Sequence, residues 1–348
     1  MSARAPTSIL LAALLTAALA LAPTVTSAPA APNAAGPPRV PLTPIVPKAP
    51  RGALPPCGTG AAEVLATTAG SVAQRIYAAE VVSSETLSDT RQVESYGPLL
   101  SAVESGERAA INAAVTSLVF SHTHIVRLRV NRGSELLADV GGPYILAPVG
   151  GTLRSHGRSI GHFIFSVQDD LGYVKLVTRF IGAPLILRTA SGQVPIEGLL
   201  SPGPASIPDH GPVVYRHVTY QAYSFNASAY PSGRLRVSLF LPLPGSLSAK
   251  SCTEIKTAEM GVVAQRISRR FKLSPSSFAP FIKLVRTLTE GLVYIRSGSR
   301  TLAGSTRPGP SHLPSSGPLR YHGVDYEVSS FTAPTSVGQV RVEVLVAR

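Results

Sequence analysis

Five side chains in the middle of the chain carry the chemistry most directly readable from residue type and spacing. Arg127 and Arg129 stand two apart in "HIVRLRVN", and Tyr173, Lys175 and Arg179 sit at odd positions in "YVKLVTRF". Read as strands, both stretches alternate. Val126, Leu128 and Val130 fall on one side and Arg127 and Arg129 on the other; Val174, Leu176 and Phe180 oppose Tyr173, Lys175, Val177 and Arg179. If the two strands are neighbours, one sheet face gathers four cations and a phenol. Guanidinium forks match carboxylates, so this face is expected to hold a small anionic ligand. The plainer alternative is the solvated face of an antiparallel sheet.

Other patterns are weaker. "GRSIG" at 157–161 fits G-x-S-x-G with Ser159 central, but a nucleophile elbow needs a strand before the serine and a helix after it. Here "HFIFSV" follows and reads as a strand, so a turn is the expected context. His122 and His124 in "SHTH" lack a companion motif that would complete a zinc site. Asp169-Asp170 lacks the remaining positions of a calcium loop and reads as a hairpin tip. "NAS" at 226–228 is a formal glycosylation sequon. There is no Walker loop or dinucleotide fingerprint, so no cofactor, no metal and no enzymatic activity are expected.

The elements that would position these residues follow from periodicity. Residues 107–119 place Ile111, Val115 and Leu118 on one helical face. Strands are expected through "HIVRLRVNRGSELLADVGGPYILAPV" and "GRSIGHFIFSVQDDLGYVKLVTRFIGAPLILR", with turns at Asn131-Arg132-Gly133 and Asp169-Asp170-Leu171-Gly172.

The chain also repeats itself. "GSVAQRI" at 70–76 returns as "GVVAQRI" at 261–267, an offset of 191, inside two segments that read as amphipathic helices. Leu65, Val72, Ile76 and Ala79 form one apolar stripe, and Val263, Ile267 and Phe271 the other. Downstream, "GPVVYRHVTYQAYSFNA" at 211–227 matches "GPLRYHGVDYEVSSFTA" at 317–333 in eight of 17 positions, and "GRLRVSLFLP" then answers "GQVRVEVLVA". Two echoes in the same order indicate duplication. The second offset is 106, so about 85 residues of the first copy are missing from the second, and they are expected mostly within 118–190. The expected division is a full unit at 57–245 and an abbreviated α/β unit at 250–348.

A long N-terminal helical segment, a strand pair ending in "ELLADVG", a hairpin at "FSVQDDLGYVKLV" and the closing strands "GPVVYRHVTYQAYSF…GRLRVSLFLP" together resemble the extracytoplasmic PAS-like Cache (PDC) sensor domains. The resemblance covers about 57–245. It implies an α+β fold, a PAS/Cache-like antiparallel sheet behind a long N-terminal helix, and small-molecule binding. The family's amino-acid-binding signature is absent, and no HAMP or kinase segment follows.

Composition places this module outside the cell. Arg4, the apolar run "ILLAALLTAALALA" at 9–22 and "APA" before Ala31 have the layout of a signal peptide spanning 1–30. Residues 31–56 are too rich in proline for helix or sheet and read as a linker. In an oxidising compartment, Cys57 and Cys252, at the starts of the two corresponding helices, are expected to pair. Lys and Arg outnumber Asp and Glu by 32 to 19, a net charge of +13, which favours anionic partners. With no Trp and only 10 Phe, a base-stacking platform for nucleic acid is not expected. The leading expectation is an exported, surface- or wall-associated, sensor-like protein binding a small solute, a carboxylate by the chemistry of its cations. Anionic wall polymers or a membrane receptor are further expected partners. The alternatives are a non-catalytic adhesion or wall-binding protein using its basic surface, and a secreted hydrolase using Ser159.

Overall fold

A computed structural model of the protein describes residues 54–122, 124–142, 145–194, 200, 203–230, 233–244, 247–336 and 338–348. The expected signal peptide and most of the linker lie outside the described residues. Helices α1 (Ala61–Val81), α2 (Ser84–Ser95), α3 (Gly97–Ser105) and α4 (Arg108–Ser117) come first. Strands β1 (Arg127–Arg132), β2 (Glu135–Gly141), β3 (Ile145–Leu146), β4 (Val149–Ser155) and β5 (Arg158–Ser166) follow. Helix α5 (Asp170–Ile181) then leads into β6 (Leu185–Thr189), β7 (Gly192–Gln193), β8 (His210–Tyr215), β9 (Val218–Tyr230) and β10 (Gly233–Pro242). Helices α6 (Cys252–Phe271) and α7 (Phe278–Thr289) precede β11 (Leu292–Ser297), β12 (Arg300–Gly304), β13 (Ser316–Tyr321), β14 (Val324–Thr335) and β15 (Gly338–Ala347).

Among the described residues the strands form three antiparallel sheets, so the fold class is α+β, as expected. The first has the order β2-β1-β5-β4; the second runs β3-β9-β10-β6-β7 with β8 also on β9; the third runs β12-β11-β15-β14-β13. Helices α2, α3 and α4 cover one face of the first sheet. Ile111, Val115 and Leu118 pack there against Leu128, Val130, Phe163 and Phe165 in a core of their own. The other helices lie between the second and third sheets. Val72 and Ile76 of α1, Val177 of α5, Val263 and Ile267 of α6 and Phe281 of α7 share one core with Leu235 and Leu239 of β10 and Val342 and Val344 of β15.

The duplication is visible in this arrangement. A helix followed by strands ordered 2-1-5-4-3 occurs as α5 with β6–β10 and again as α7 with β11–β15. The residues of the first copy without a counterpart are those between α1 and α5, 82–169, where the second copy has only 272–277 between α6 and α7. They lie mostly within the expected window 118–190, but begin earlier, with α2 to α4, and stop before α5 and β6, which have the counterparts α7 and β11.

The repeated heptapeptide now has a physical reason. Gly70 and Gly261 are the points where each long helix meets its own sheet. A Cβ on Gly70 would overlap the Tyr223 ring, and one on Gly261 would overlap Ser329, an equivalent position of the third sheet. Valine, alanine and isoleucine of the motif are buried in both copies. The arginine reaches across. Arg75 of α1 donates to the Leu288 carbonyl at 3.0 Å and pairs with Glu290 at 2.5 Å, at the C-terminus of α7. Arg266 of α6 lies against Gly182, the left-handed residue that ends α5. Each copy's long helix thus touches the end of the other copy's short one.

Cys57 and Cys252 are bonded, with Cα atoms 4.8 Å apart across 195 positions of sequence. The Cys57 N–H donates to the Lys250 carbonyl at 2.7 Å, closing the same junction. A capping box starts α6. The Glu254 N–H donates to Ser251 Oγ at 3.2 Å, and the Ser251 N–H donates to Glu254 Oε2 at 2.7 Å.

One element differs in kind from its expectation. Residues 170–181 form helix α5, and the anticipated hairpin at Asp169–Gly172 is absent. Asp169 is the N-cap, its carboxylate accepting from the Gly172 N–H at 2.5 Å, and Gly182 closes the helix in the left-handed conformation. Tyr173, Val174, Val177, Phe180 and Ile181 are buried at helical spacing. The apparent period-two alternation came from a helix whose buried stripe includes Tyr173 and Val177, two of the residues assigned to the polar face.

Candidate functional site

Helices α2–α4 occupy the Leu128 side of β1, so Arg127 and Arg129 project from the opposite face of the first sheet. Tyr230, the last residue of β9 in the second sheet, reaches this face. Both guanidinium carbons lie over its ring, 5.3 Å from the centroid for Arg127 and 5.1 Å for Arg129. The two arginines have different surroundings. Arg127 makes a fork with Asp139 of β2, Nε to Oδ1 at 2.6 Å and Nη2 to Oδ2 at 2.7 Å, and Nη1 donates to the Gly142 carbonyl at 3.2 Å. Arg129 spends only Nε, on Asn131 Oδ1 at 3.0 Å, and its terminal nitrogens donate to no group among the described residues. The Tyr230 hydroxyl is buried and likewise has no hydrogen-bond partner among the described residues. Paired Arg127 therefore sets the ring and the electrostatics, while Arg129 and Tyr230 keep donors to offer.

The other expected site residues are elsewhere. Tyr173 is fully buried between α1 and α5; its hydroxyl donates to the Ala73 carbonyl at 3.0 Å, and burial raises its pKa well above that of an ordinary tyrosine. Lys175 and Arg179 are exposed on α5. Neither shares an ion pair or hydrogen bond with Arg127 or Arg129 among the described residues. The face of four cations and a phenol is thus not assembled, because three of its five members sit on a helix.

Ser159 lies near the start of β5, after the turn at His156–Gly157, and the strand, not a helix, continues from it to Ser166. With Glu104, Arg132 and His162 it lines a groove of about 340 Å³. His162 Nδ1 is 3.3 Å from Thr152 Oγ1, and Glu104 accepts from Ser155 at 3.1 Å. No base engages Ser159 among the described residues. His124 contacts Glu85 at 2.9 Å, and the described residues contain no cluster of metal-ligating groups.

A paired feature of the duplicated sheets was missed from sequence. On the face away from the helices, two arginines hold the loop that covers each sheet. Arg188 donates to the carbonyls of Pro204 and Ala205, and Arg236 to that of Ile207 at 2.9 Å. In the third sheet Arg296 donates to the Ser311 carbonyl at 3.4 Å and Arg341 to that of Leu313 at 3.2 Å. Ser311 and Leu313 stand 106 residues after Ala205 and Ile207, so the accepting carbonyls repeat under the offset of the second echo, and Arg296 and Arg341 occupy the strands that correspond to those of Arg188 and Arg236. Extending the echo upstream to Gly203-Pro204 and Gly309-Pro310 would have found these loops. The copies differ beneath them. Ser238 of the second sheet bonds Ser224 at 2.8 Å, whereas the equivalent Glu343 is fully buried, paired with Arg341 at 2.6 Å, and its pKa is raised by burial.

A group of acids sits where α1 gives way to α2. Burial, and then the charge of Glu85, push the Glu80 carboxyl up to about 7. Burial also raises Glu85 and Asp89, against the lowering effect of His124.

No family model matches the chain, and no curated protein does. Among solved structures, it is similar to the ligand-binding domain of the Pseudomonas fluorescens chemoreceptor CtaA in complex with L-alanine. The match has 13% identity and a TM-score of 0.31, and covers 53% of this chain and 99% of that one. Two crystal structures of the Vibrio cholerae LuxQ periplasmic domain align over 84% of this chain and 98% and 100% of theirs, at 9% and 10% identity and TM-scores of 0.16 and 0.15.

Proposed function

We propose that the protein is an exported, surface- or wall-associated binding module of the sensor type, whose ligand is a small solute bearing a carboxylate. Residues 57–245 form the sensor unit in this reading, and 250–348 the reduced unit bonded to it through Cys57–Cys252. The observation that carries the proposal is the junction of the first two sheets. There, two stacked guanidinium groups flank Tyr230, and Arg129 and the Tyr230 hydroxyl have donors left over. An incoming carboxylate accepts from the terminal nitrogens of Arg129 and from Tyr230 Oη, while the Asp139-held Arg127 contributes charge without rearranging. Tyr173, Lys175 and Arg179 have no part in this reading. Among the described residues no helix is long and apolar enough to cross a membrane. Surface attachment in this reading uses the basic exterior and a partner receptor.

The test is a thermal-shift screen of the chain beginning near Cys57 against amino acids, mono- and dicarboxylates, polyamines and nucleotides. A ligand binding only the folded state adds RT ln(1 + [L]/Kd), about 2.7 kcal/mol at a hundredfold excess over Kd. A shift from a carboxylate that disappears in Arg129→Ala and shrinks in Tyr230→Phe is the expected result. A shift that survives Arg129→Ala places the ligand elsewhere, and a flat screen of well-folded protein removes the sensor reading.

A further inference from the structure

On the helix side of the third sheet, between α7 and strands β11 and β12, lies an open groove of about 510 Å³. Lys283 and Arg286 stand three apart on α7, about one turn, and line it together. Arg307 lines it from the segment after β12; the hydroxyls of Thr287 and Ser305 on its wall already donate to the Lys283 and Val293 carbonyls, at 3.0 and 3.1 Å. All three cations are exposed, and none has a carboxylate partner among the described residues. The acid that lines the groove, Glu290, is already held by Arg75. Three like charges converging on one concavity repel one another until an anion lies between them, and a concave wall concentrates their field.

The groove is particular to the second copy. Aligned at the left-handed residues that close the two helices, Gly182 and Glu290, Lys283 has its counterpart in Lys175 and Arg286 in Thr178, and the offset of 106 puts Ser201 where Arg307 would be. The volume is several times that of one oxyanion. Two guanidinium forks and an ammonium offer more donors than a single carboxylate can accept and suit a chain of phosphate oxygens. We infer that this groove binds a multiply charged oxyanion of the phosphate class, either a free oligophosphate or a segment of a phosphodiester polymer. It is independent of the Arg129 site.

Titration calorimetry of the exported chain with inorganic tripolyphosphate at low salt tests the free form, and retention on immobilised poly(glycerol phosphate) tests the polymer. The expected result is saturable binding of at least one probe, weakened tenfold or more by Lys283→Ala/Arg286→Ala/Arg307→Ala and unchanged by Arg129→Ala. Binding of tripolyphosphate alone identifies a free ligand; retention by the polymer alone identifies the polymer. The control Arg234→Ala/Arg269→Ala/Arg270→Ala removes as many exposed cations elsewhere and is expected to change binding less than threefold. Equal weakening by both triple variants reduces the effect to net charge and overturns the inference. So does binding that survives the groove variant, or failure of both probes to bind. The side chains substituted in the two triple variants are all exposed, and circular dichroism of each variant, Arg129→Ala included, checks that it is folded.

Discussion

Removing the Cys57–Cys252 bridge is expected to cost more stability than any single core substitution, because of where it lies in the chain. The bridge closes a loop spanning 195 positions while joining two segments that already touch. In the folded state little changes when it is absent: the Cys57 N–H still donates to Lys250, and α1 still packs along α6 in the shared core. The difference arises in the unfolded chain, which regains the freedom to separate these residues. The chain-entropy relation gives about 5 kcal/mol for a loop of this length. The double variant Cys57→Ser/Cys252→Ser avoids leaving a reactive thiol. With a urea dependence of about 3 kcal/mol per molar, its unfolding midpoint falls by roughly 1.5 M relative to the oxidised protein. Fluorescence of the tyrosines and far-UV circular dichroism should report the same midpoint for the body made by α1, α5, α6, α7 and the second and third sheets, which share one core. The oxidised protein treated with reductant should approach the double variant. A midpoint shift under about 0.3 M, or a loss of cooperativity in the variant alone, would refute the view that the bridge acts on the unfolded chain of a single folding unit.

Three further outcomes follow from the packing and the titrating groups. Glu80 has a folded-state pKa raised from 4.5 to about 7, so the folded protein holds its proton more tightly than the unfolded chain does. That contribution is complete below about pH 4.5 and is lost as the pH rises towards 7. Glu80→Gln should therefore flatten the melting temperature across this window and stabilise the protein above it, by at most about 3 kcal/mol; a variant whose pH profile parallels the parent's contradicts the assignment. Gly70→Ala should destabilise by about 1–3 kcal/mol through overlap with the Tyr223 ring, although the same exchange in an open helix gains up to about 1 kcal/mol. Denaturant titration giving a more stable variant would show that α1 does not approach β9 so closely. Asp169→Ala should cost about 1 kcal/mol by removing the N-cap of α5, read from the same titration, with no change expected if the segment were a strand.

Much of the architecture was written in local pattern. The echoes at 70–76 and 261–267, and at 211–227 and 317–333, announced two related units, and the buried stripes of α1, α4 and α6 followed from helical spacing. The hairpin of β1 and β2 and the polar face bearing Arg127 and Arg129 were legible because an antiparallel strand covered on one side alternates strictly. The segment 170–181 was misread because its apolar residues satisfy either period over a short window. Asp169 and Gly182, which bracket it as N-cap and left-handed C-terminal residue, were the better signal.

The amino-acid sequence by itself determined the excess of positive charge, the duplication, the α+β class and the pair of cysteines available to join. Only the tertiary structure decided which residues meet. Tyr230 stands about a hundred positions from Arg127 yet stacks on it, because β9 is long enough to reach from the second sheet to the face of the first. The arginines of the repeated heptapeptide act on the opposite copy, and Lys283, Arg286 and Arg307 converge across a helix and a loop. Periodicity reports which side of an element faces the core. It carries no information about which element lies beyond that side, and that is fixed only when the sheets and helices pack.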